Sequence, residues 1–151
     1  MTTTTDGGLE RLLEQVLART PGARHALLLS RDGLKLSLSP GLSADRGDQL
    51  AAIASGIQSL AHGASMEFGD GTGGVRQSMT EFHGGVLFIV EVGEGAHLAV
   101  IGEEDADAGL IGQRMNELAE HMAGRLRADP RLRTRAEAAE APSGPGGKLA
   151  V

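Results

Sequence analysis

Proton transfer, metal ligation and nucleophilic attack in this chain fall to histidine, serine and the acidic residues, because it contains no cysteine. The five histidines stand at 25, 62, 83, 97 and 121. No two share H-x-H spacing or the i, i+4 spacing on one helix that brings two ring nitrogens onto one metal. His25 and His97 open apolar stretches and His83 lies in a His-Gly-Gly turn, so these rings read as structural or solvated. Without cysteine there is no disulfide, thiolate zinc site, iron–sulfur cluster or thiol nucleophile. No G-x-S-x-G elbow presents a serine for attack. The run Glu103-Glu104-Asp105-Ala106-Asp107 has the charge to hold a cation, but it lacks the Gly-centred ligand loop of an EF-hand. It reads as negative charge gathered at a helix N-terminus, where the dipole favours it. No catalytic, cofactor or metal residue is assigned.

Two further motifs invite a binding reading. Gly69-Asp70-Gly71-Thr72-Gly73-Gly74 satisfies G-x-G-x-x-G. A phosphate-cradling version follows a strand and opens a helix, so that amide groups and the dipole meet the pyrophosphate. Here the motif follows a helical pattern and precedes a strand, and no Gly-Lys-Ser/Thr occurs, so it reads as a loop in a Gly-rich chain. Arg125, Arg127, Arg131, Arg133 and Arg135 put five of the 14 basic residues into eleven positions. The plain reading is a helix C-terminus and a solvated tail. The functional one makes Arg125, Arg127, Arg131 and Arg133 a docking stripe for an acidic partner or an anionic surface.

Composition narrows the classes. The 151 residues suit one domain, and 40% hydrophobic content supports a core. Aromatics are 2%, with no Trp and no Tyr, which argues against base-stacking platforms and aromatic-lined ligand pockets. A net charge of −6 argues against nucleic acid as a partner. Residues 1–8 are polar with no secretory apolar region, and no apolar run approaches the length of a membrane span. The expectation is a soluble, cytoplasmic chain without membrane insertion.

The elements follow from periodicity. Leu9, Leu12, Leu13, Val16 and Leu17 fall on one helix face, after a frayed leader (1–8) in which Asp6 is available as a cap. Leu27-Leu28-Leu29 reads as a strand covered on both sides. Arg31-Asp32-Gly33 is a hairpin signal, and Leu34, Leu36 and Leu38 then alternate with polar residues. Residues 43–64 return to helical spacing, capped by Ser43 or Asp45, with Leu50, Ile53, Ile57, Leu60, Ala61 and Ala64 as the apolar face. A second stripe, Ala52, Ser55, Gly56, Ser59 and Gly63, is made only of small residues. Each Gly inside a helix costs about 0.5–1 kcal/mol relative to Ala, so the stripe implies close approach of another backbone. Residues 75–82 have the mixed composition of an edge strand. Residues 86–90 and 97–101 read as inner strands, and a last helix runs from about 107 to 127. The Pro- and Gly-rich segment 129–151 reads as a disordered tail.

This order, helix, two strands, long helix, three strands, helix, resembles the roadblock/LC7 family, related to roadblock-type dynein light chains and bacterial regulators of Ras-like GTPases. The likeness rests on Leu9-Glu10-Arg11-Leu12-Leu13, on 26–34 with its Ser30-Arg31-Asp32-Gly33 turn, on the small-residue helix after Leu42-Ser43-Ala44-Asp45, and on Gly85-Val86-Leu87-Phe88-Ile89. It implies a domain over 9–128, with a five-stranded antiparallel α+β sheet carrying the long helix on one face and the terminal helices on the other. It also implies a non-enzymatic homodimer. Ala52, Ser55, Gly56, Ser59 and Gly63 would face the twin helix, and Val75, Gln77 and Met79 the twin strand. Implied partners are a small Ras-like GTPase, whose switch regions the dimer reshapes without an arginine finger, and a membrane sensor kinase-like protein. An adaptor that recruits signalling proteins without affecting GTP turnover is the alternative. A small-molecule sensor of PAS or GAF type is disfavoured by the scarce aromatics and the lack of a pocket-forming insertion.

Overall fold

The structure, a computed structural model, describes residues 3–93 and 95–128. The elements are α1 (Thr3–Arg19), β1 (Ala23–Ser30), β2 (Lys35–Leu38), α2 (Ala44–Phe68), β3 (Ser78–Phe82), β4 (Gly85–Val92), β5 (Ala96–Gly102) and α3 (Ala108–Ala128). This is the expected order. The expected tail, with Arg131, Arg133 and Arg135, lies outside the described residues.

The strands form one antiparallel sheet in the order β2-β1-β5-β4-β3. Side chains alternate across it, and both faces are covered. On one face α1 and α3 set Leu9, Leu13, Ile111, Met115 and Met122 against Leu28, Phe88, Leu98 and Val100. On the other, α2 sets Leu50, Ala51 and Ala54 against Leu27, Leu29, Leu87, Ile89 and Ala99. The unbroken apolar runs of β1 and β4 follow from this double cover, since a residue is buried whichever way it points. A fully buried Leu, Ile, Phe or Met contributes about 1.5–3 kcal/mol. The α1/α3 layer therefore holds most of the core energy, and α2 adds to its own layer one leucine and two alanines.

Four local features depart from the sequence expectation. First, α1 begins at Thr3, so Asp6 lies inside the helix and not at a cap before it. The Arg125 guanidinium lies directly over Gly8 and gives these early turns a tertiary partner. Second, only Gly33 of the β1–β2 turn takes a positive φ, at 90°, while Asp32 keeps an ordinary one. Third, a bulge between Leu28 and Leu29 shifts the β1–β2 register. Because both faces of the sheet are covered, Ser37 and Ser39 are buried along with Leu36, while Leu34 lies in the turn ahead of β2 and is exposed. Ser39 Oγ is satisfied by the Ala26 N–H at 3.0 Å.

The fourth concerns α2, and it matters most. Ser43 caps the helix, its hydroxyl accepting from Arg46 N–H at 3.2 Å, and the helix runs to Phe68 instead of ending near 64. The residues it buries are Gly47, Leu50, Ala51, Ala54 and Gln58. Of the expected apolar face only Leu50 is buried. Ile57 and Ala61 are half-buried, while Ile53, Leu60 and Ala64 are exposed. The reason is steric: glycine and alanine toward the sheet let the helix settle closely on β1, and the bulky residues rotate outward.

Candidate interaction face

The large apolar side chains left in solvent are concentrated. On α2 they are Ile53, Leu60, Met66 and Phe68, the last 87% exposed, and on β3 they are Met79 and Phe82. Among the described residues Leu34 is the one other large exposed apolar side chain. Single exposed leucines are ordinary, whereas a cluster marks a surface that meets something. From Ala52 to Ala64 the side of α2 turned away from the sheet carries Ala52, Ile53, Gly56, Ser59, Leu60, Gly63 and Ala64, without one charged side chain.

The small-residue stripe divides on inspection. Ala52, Gly56, Ser59 and Gly63 are exposed, and a methyl group added at Gly56 or Gly63 meets no atom within 4 Å. Ser55 turns toward the β1–β2 hairpin, donating to the Arg31 carbonyl at 3.2 Å. Of the strand residues, Val75 is half-buried, and Gln77 is exposed with its amide against Gly112 of α3. Met79 is exposed on the α3 side, opposite Phe88. Residues 75–77 lead into β3 without joining the sheet, so the edge strand is three residues shorter than expected.

The two edges of the sheet differ. At β2 the bulge and Lys35, whose ammonium pairs with Asp48 of α2 at 2.6 Å, protect the edge against strand addition. At β3 the register runs from Ser78 to Phe82 without irregularity. The turn His83–Gly84 makes Phe82 and Gly85 the closing pair, so by alternation Thr80 and Ser78 bond toward β4. The amides of Met79 and Glu81 then point outward.

The Gly-rich segment 69–77 is a strap fastened to α2. Asp70 accepts from Thr72 N–H at 3.0 Å and from its hydroxyl at 2.7 Å, bonds that hold its carboxyl below the usual range. His62 Nδ1 bonds the Gly73 carbonyl at 3.0 Å, and Ser65 Oγ donates to Gly74 O at 2.7 Å. Gly73 sits at φ 82° against the His62 ring, where a side chain has no room. Ser78 Oγ then donates to Gln58 at 2.7 Å, tying the start of β3 to α2. The amides of this motif serve an internal strap and open no helix. Among the described residues no three His, Cys, Asp or Glu side chains group to hold a metal.

Of the predicted arginine stripe, Arg125 is half-buried against α1 and Arg127 is exposed at the end of α3. On β5, His97 is buried, and desolvation first, then the Arg31 charge, push its pKa from 6.5 down to about 4. Because the unfolded chain binds that proton more readily, stability falls as the pH drops from 6.5 toward 4, by about 1.4 kcal/mol per pH unit at most. Urea unfolding at about pH 7 and pH 5 checks this, because His97→Gln should flatten the dependence. His25, also lowered by burial and by Arg24 and Arg46, adds a slope of the same sign that the variant leaves in place.

A five-stranded antiparallel sheet with one long helix on one face and two terminal helices on the other defines the roadblock/profilin-like class of α+β folds. The Roadblock/LC7 domain model matches residues 9–102, and the chain belongs to that family. It is similar to a crystal structure of a roadblock/LC7 domain from Streptomyces avermitilis, at 39% identity and a TM-score of 0.74, over 78% of this chain and 97% of that one. It has the fold of the gliding protein MglB from Thermus thermophilus, at 22% identity and a TM-score of 0.74, over 85% of this chain and 96% of that one. Profilin IB from Acanthamoeba castellanii shares the architecture at 17% identity and a TM-score of 0.51, over 77% of this chain and 97% of that one. Among curated protein sequences nothing matches the chain. No helix among the described residues is long and apolar enough to cross a membrane.

Proposed function

We propose that the chain is a non-enzymatic homodimeric module that binds a small Ras-like GTPase and tunes its nucleotide cycle. The observation that carries the dimer is the charge-free outward side of α2 lying beside an unprotected sheet edge. Two copies related by a twofold axis would pair β3 with β3 and cross α2 with α2, covering Ala52, Ile53, Gly56, Leu60 and Gly63 on both. Isologous pairing of one patch with itself is the usual route to a closed dimer. Ser59, Val75 and Met79 belong to this proposed interface, and Ser55 stands behind it supporting the hairpin.

The GTPase reading rests on membership of the Roadblock/LC7 family and on what resemblance to that family implies. The dimer would act by shape, holding one arrangement of the GTPase switch segments. Arg127 and the arginines beyond it are proposed as a docking stripe for an acidic partner surface, with a membrane sensor kinase-like protein as a further partner.

The test is binding of the full chain to a cognate small Ras-like GTPase, loaded with GDP or with a non-hydrolysable GTP analogue. A regulator prefers one state, by roughly tenfold or more, about 1.4 kcal/mol, and changes the hydrolysis or exchange rate. Equal binding to both states with no rate change assigns the adaptor role instead. No binding to either state ends the GTPase reading and leaves the dimer to be judged separately.

A further inference from the structure

Strand β4 outruns its partner. It extends from Gly85 to Val92, but β3 pairs with it only as far as Ser78 opposite Ile89. By the alternation that starts at the His83–Gly84 turn, Ile89 bonds toward β3, and the next residue to point that way is Glu91. Its N–H and C=O therefore face the strap with no strand beside them. Residues 75–77 pass this edge without joining it. Among the described residues their backbone makes no hydrogen bond. An open cleft lined by Val75, Arg76 and Glu91 separates the two.

The side chains on the two sides match. Carrying the β3–β4 register back by three residues sets Gln77 opposite Val90, Arg76 opposite Glu91 and Val75 opposite Val92. Opposite charges directly across a strand pair are favourable, and paired valines suit a pleated sheet. Arg76 and Glu91 are both exposed, and no ion pair joins them among the described residues. The bonds that latch the strap to α2 end at Gly74, whose carbonyl accepts from Ser65. Residues 75–77 are thus its unlatched length. Closing them onto β4 would also lengthen the outer edge. The outward amides of Met79 and Glu81 would be joined by those of Gln77 and Val75.

We propose that the strap is a conformational switch: residues 75–77 close onto β4, with Arg76 across from Glu91, when a second copy of the chain docks on β3. The inference rests on the dimer of the proposed function and deepens it. The isolated chain holds the strap open. A second copy meets twice as many outward amides on the closed form, binds that form better and shifts the population toward it. Closure in turn strengthens the pairing of the copies, because the coupling is reciprocal.

The test is amide hydrogen exchange of the full chain by NMR, read at Glu91 for the strap and at Met79 for the second copy. The expected result is a protected Glu91 amide in the concentrated wild-type protein, with protection lost on dilution and in Gly56→Leu. Arg76→Pro should also abolish it while Ile89 stays protected, because proline removes the amide that bonds the Glu91 carbonyl. Arg76→Glu should lower Glu91 protection a few-fold, and adding Glu91→Arg should restore it, since the reversed pair again carries opposite charges. A protected Met79 beside an unprotected Glu91 overturns the switch and leaves the dimer standing. An unprotected Met79 at every concentration counts against the dimer itself, and a Glu91 still protected there shows closure that needs no second copy, which overturns the proposal. So does Glu91 protection that Arg76→Pro leaves unchanged, because some other strand then covers β4.

Discussion

Gly56→Leu is expected to convert the protein to a monomer at the 15.6 kDa chain mass by light scattering, while leaving its fold intact. The two consequences of this substitution have opposite signs, which makes it informative. Within one copy nothing lies within 4 Å of the added Cβ, and replacing a mid-helix glycine gains about 0.8–1 kcal/mol of helix propensity. The isolated chain is therefore no less stable. Between copies, a leucine on the closest line of approach holds two α2 helices apart and leaves Ile53 and Leu60 in water on both. The association constant should fall at least about a hundredfold, roughly 2.7 kcal/mol. Were this side of α2 an ordinary solvent face, the substitution would raise the melting temperature and leave the mass unchanged.

Met79→Pro addresses the other half of the interface. Proline removes one backbone donor and is tolerated only where that donor is not part of a ladder. By the alternation set at the His83–Gly84 turn, the Met79 amide points away from β4, so the intramolecular sheet should survive. The expected result is an unchanged far-UV circular dichroism spectrum together with dissociation as complete as that of Gly56→Leu. Thr80→Pro is the internal contrast, because its amide serves the β3–β4 ladder and its loss should destabilise the fold itself. Dissociation by one variant without the other would assign the contact to the helix or to the strand alone.

The fold was largely legible because its signals are redundant. Leu9, Leu13 and Val16 at helical spacing, Leu27-Leu28-Leu29, and Ile111, Met115, Leu118 and Met122 each sit in the core as read. The orientation of α2 was not legible. Its sequence offers two stripes, one of bulky and one of small residues, and the eye assigns bulk to the core. Packing chose Gly47, Ala51 and Ala54 for the sheet, which left Ile53 and Leu60 outside. Met66 and Phe68 were missed because the helix runs one turn past the expected end, to the stop at Gly69. The alternation of Leu34, Leu36 and Leu38 with polar residues suggested one wet face, whereas both faces of the sheet are covered and β2 itself carries an extra residue, Leu36, between its pairings with Leu28 and Leu29.

The central claim is that the β3 edge and the outward side of α2 are closed by a second copy of the chain. Residue-resolved amide hydrogen exchange at Met79 and Glu81 tests it most directly, because these amides have no partner strand in an isolated chain. The account predicts slow exchange of both in the concentrated wild-type protein, lost on dilution and lost in Gly56→Leu. Fast exchange of both at every concentration, with the neighbouring Thr80 still protected by β4, would contradict it.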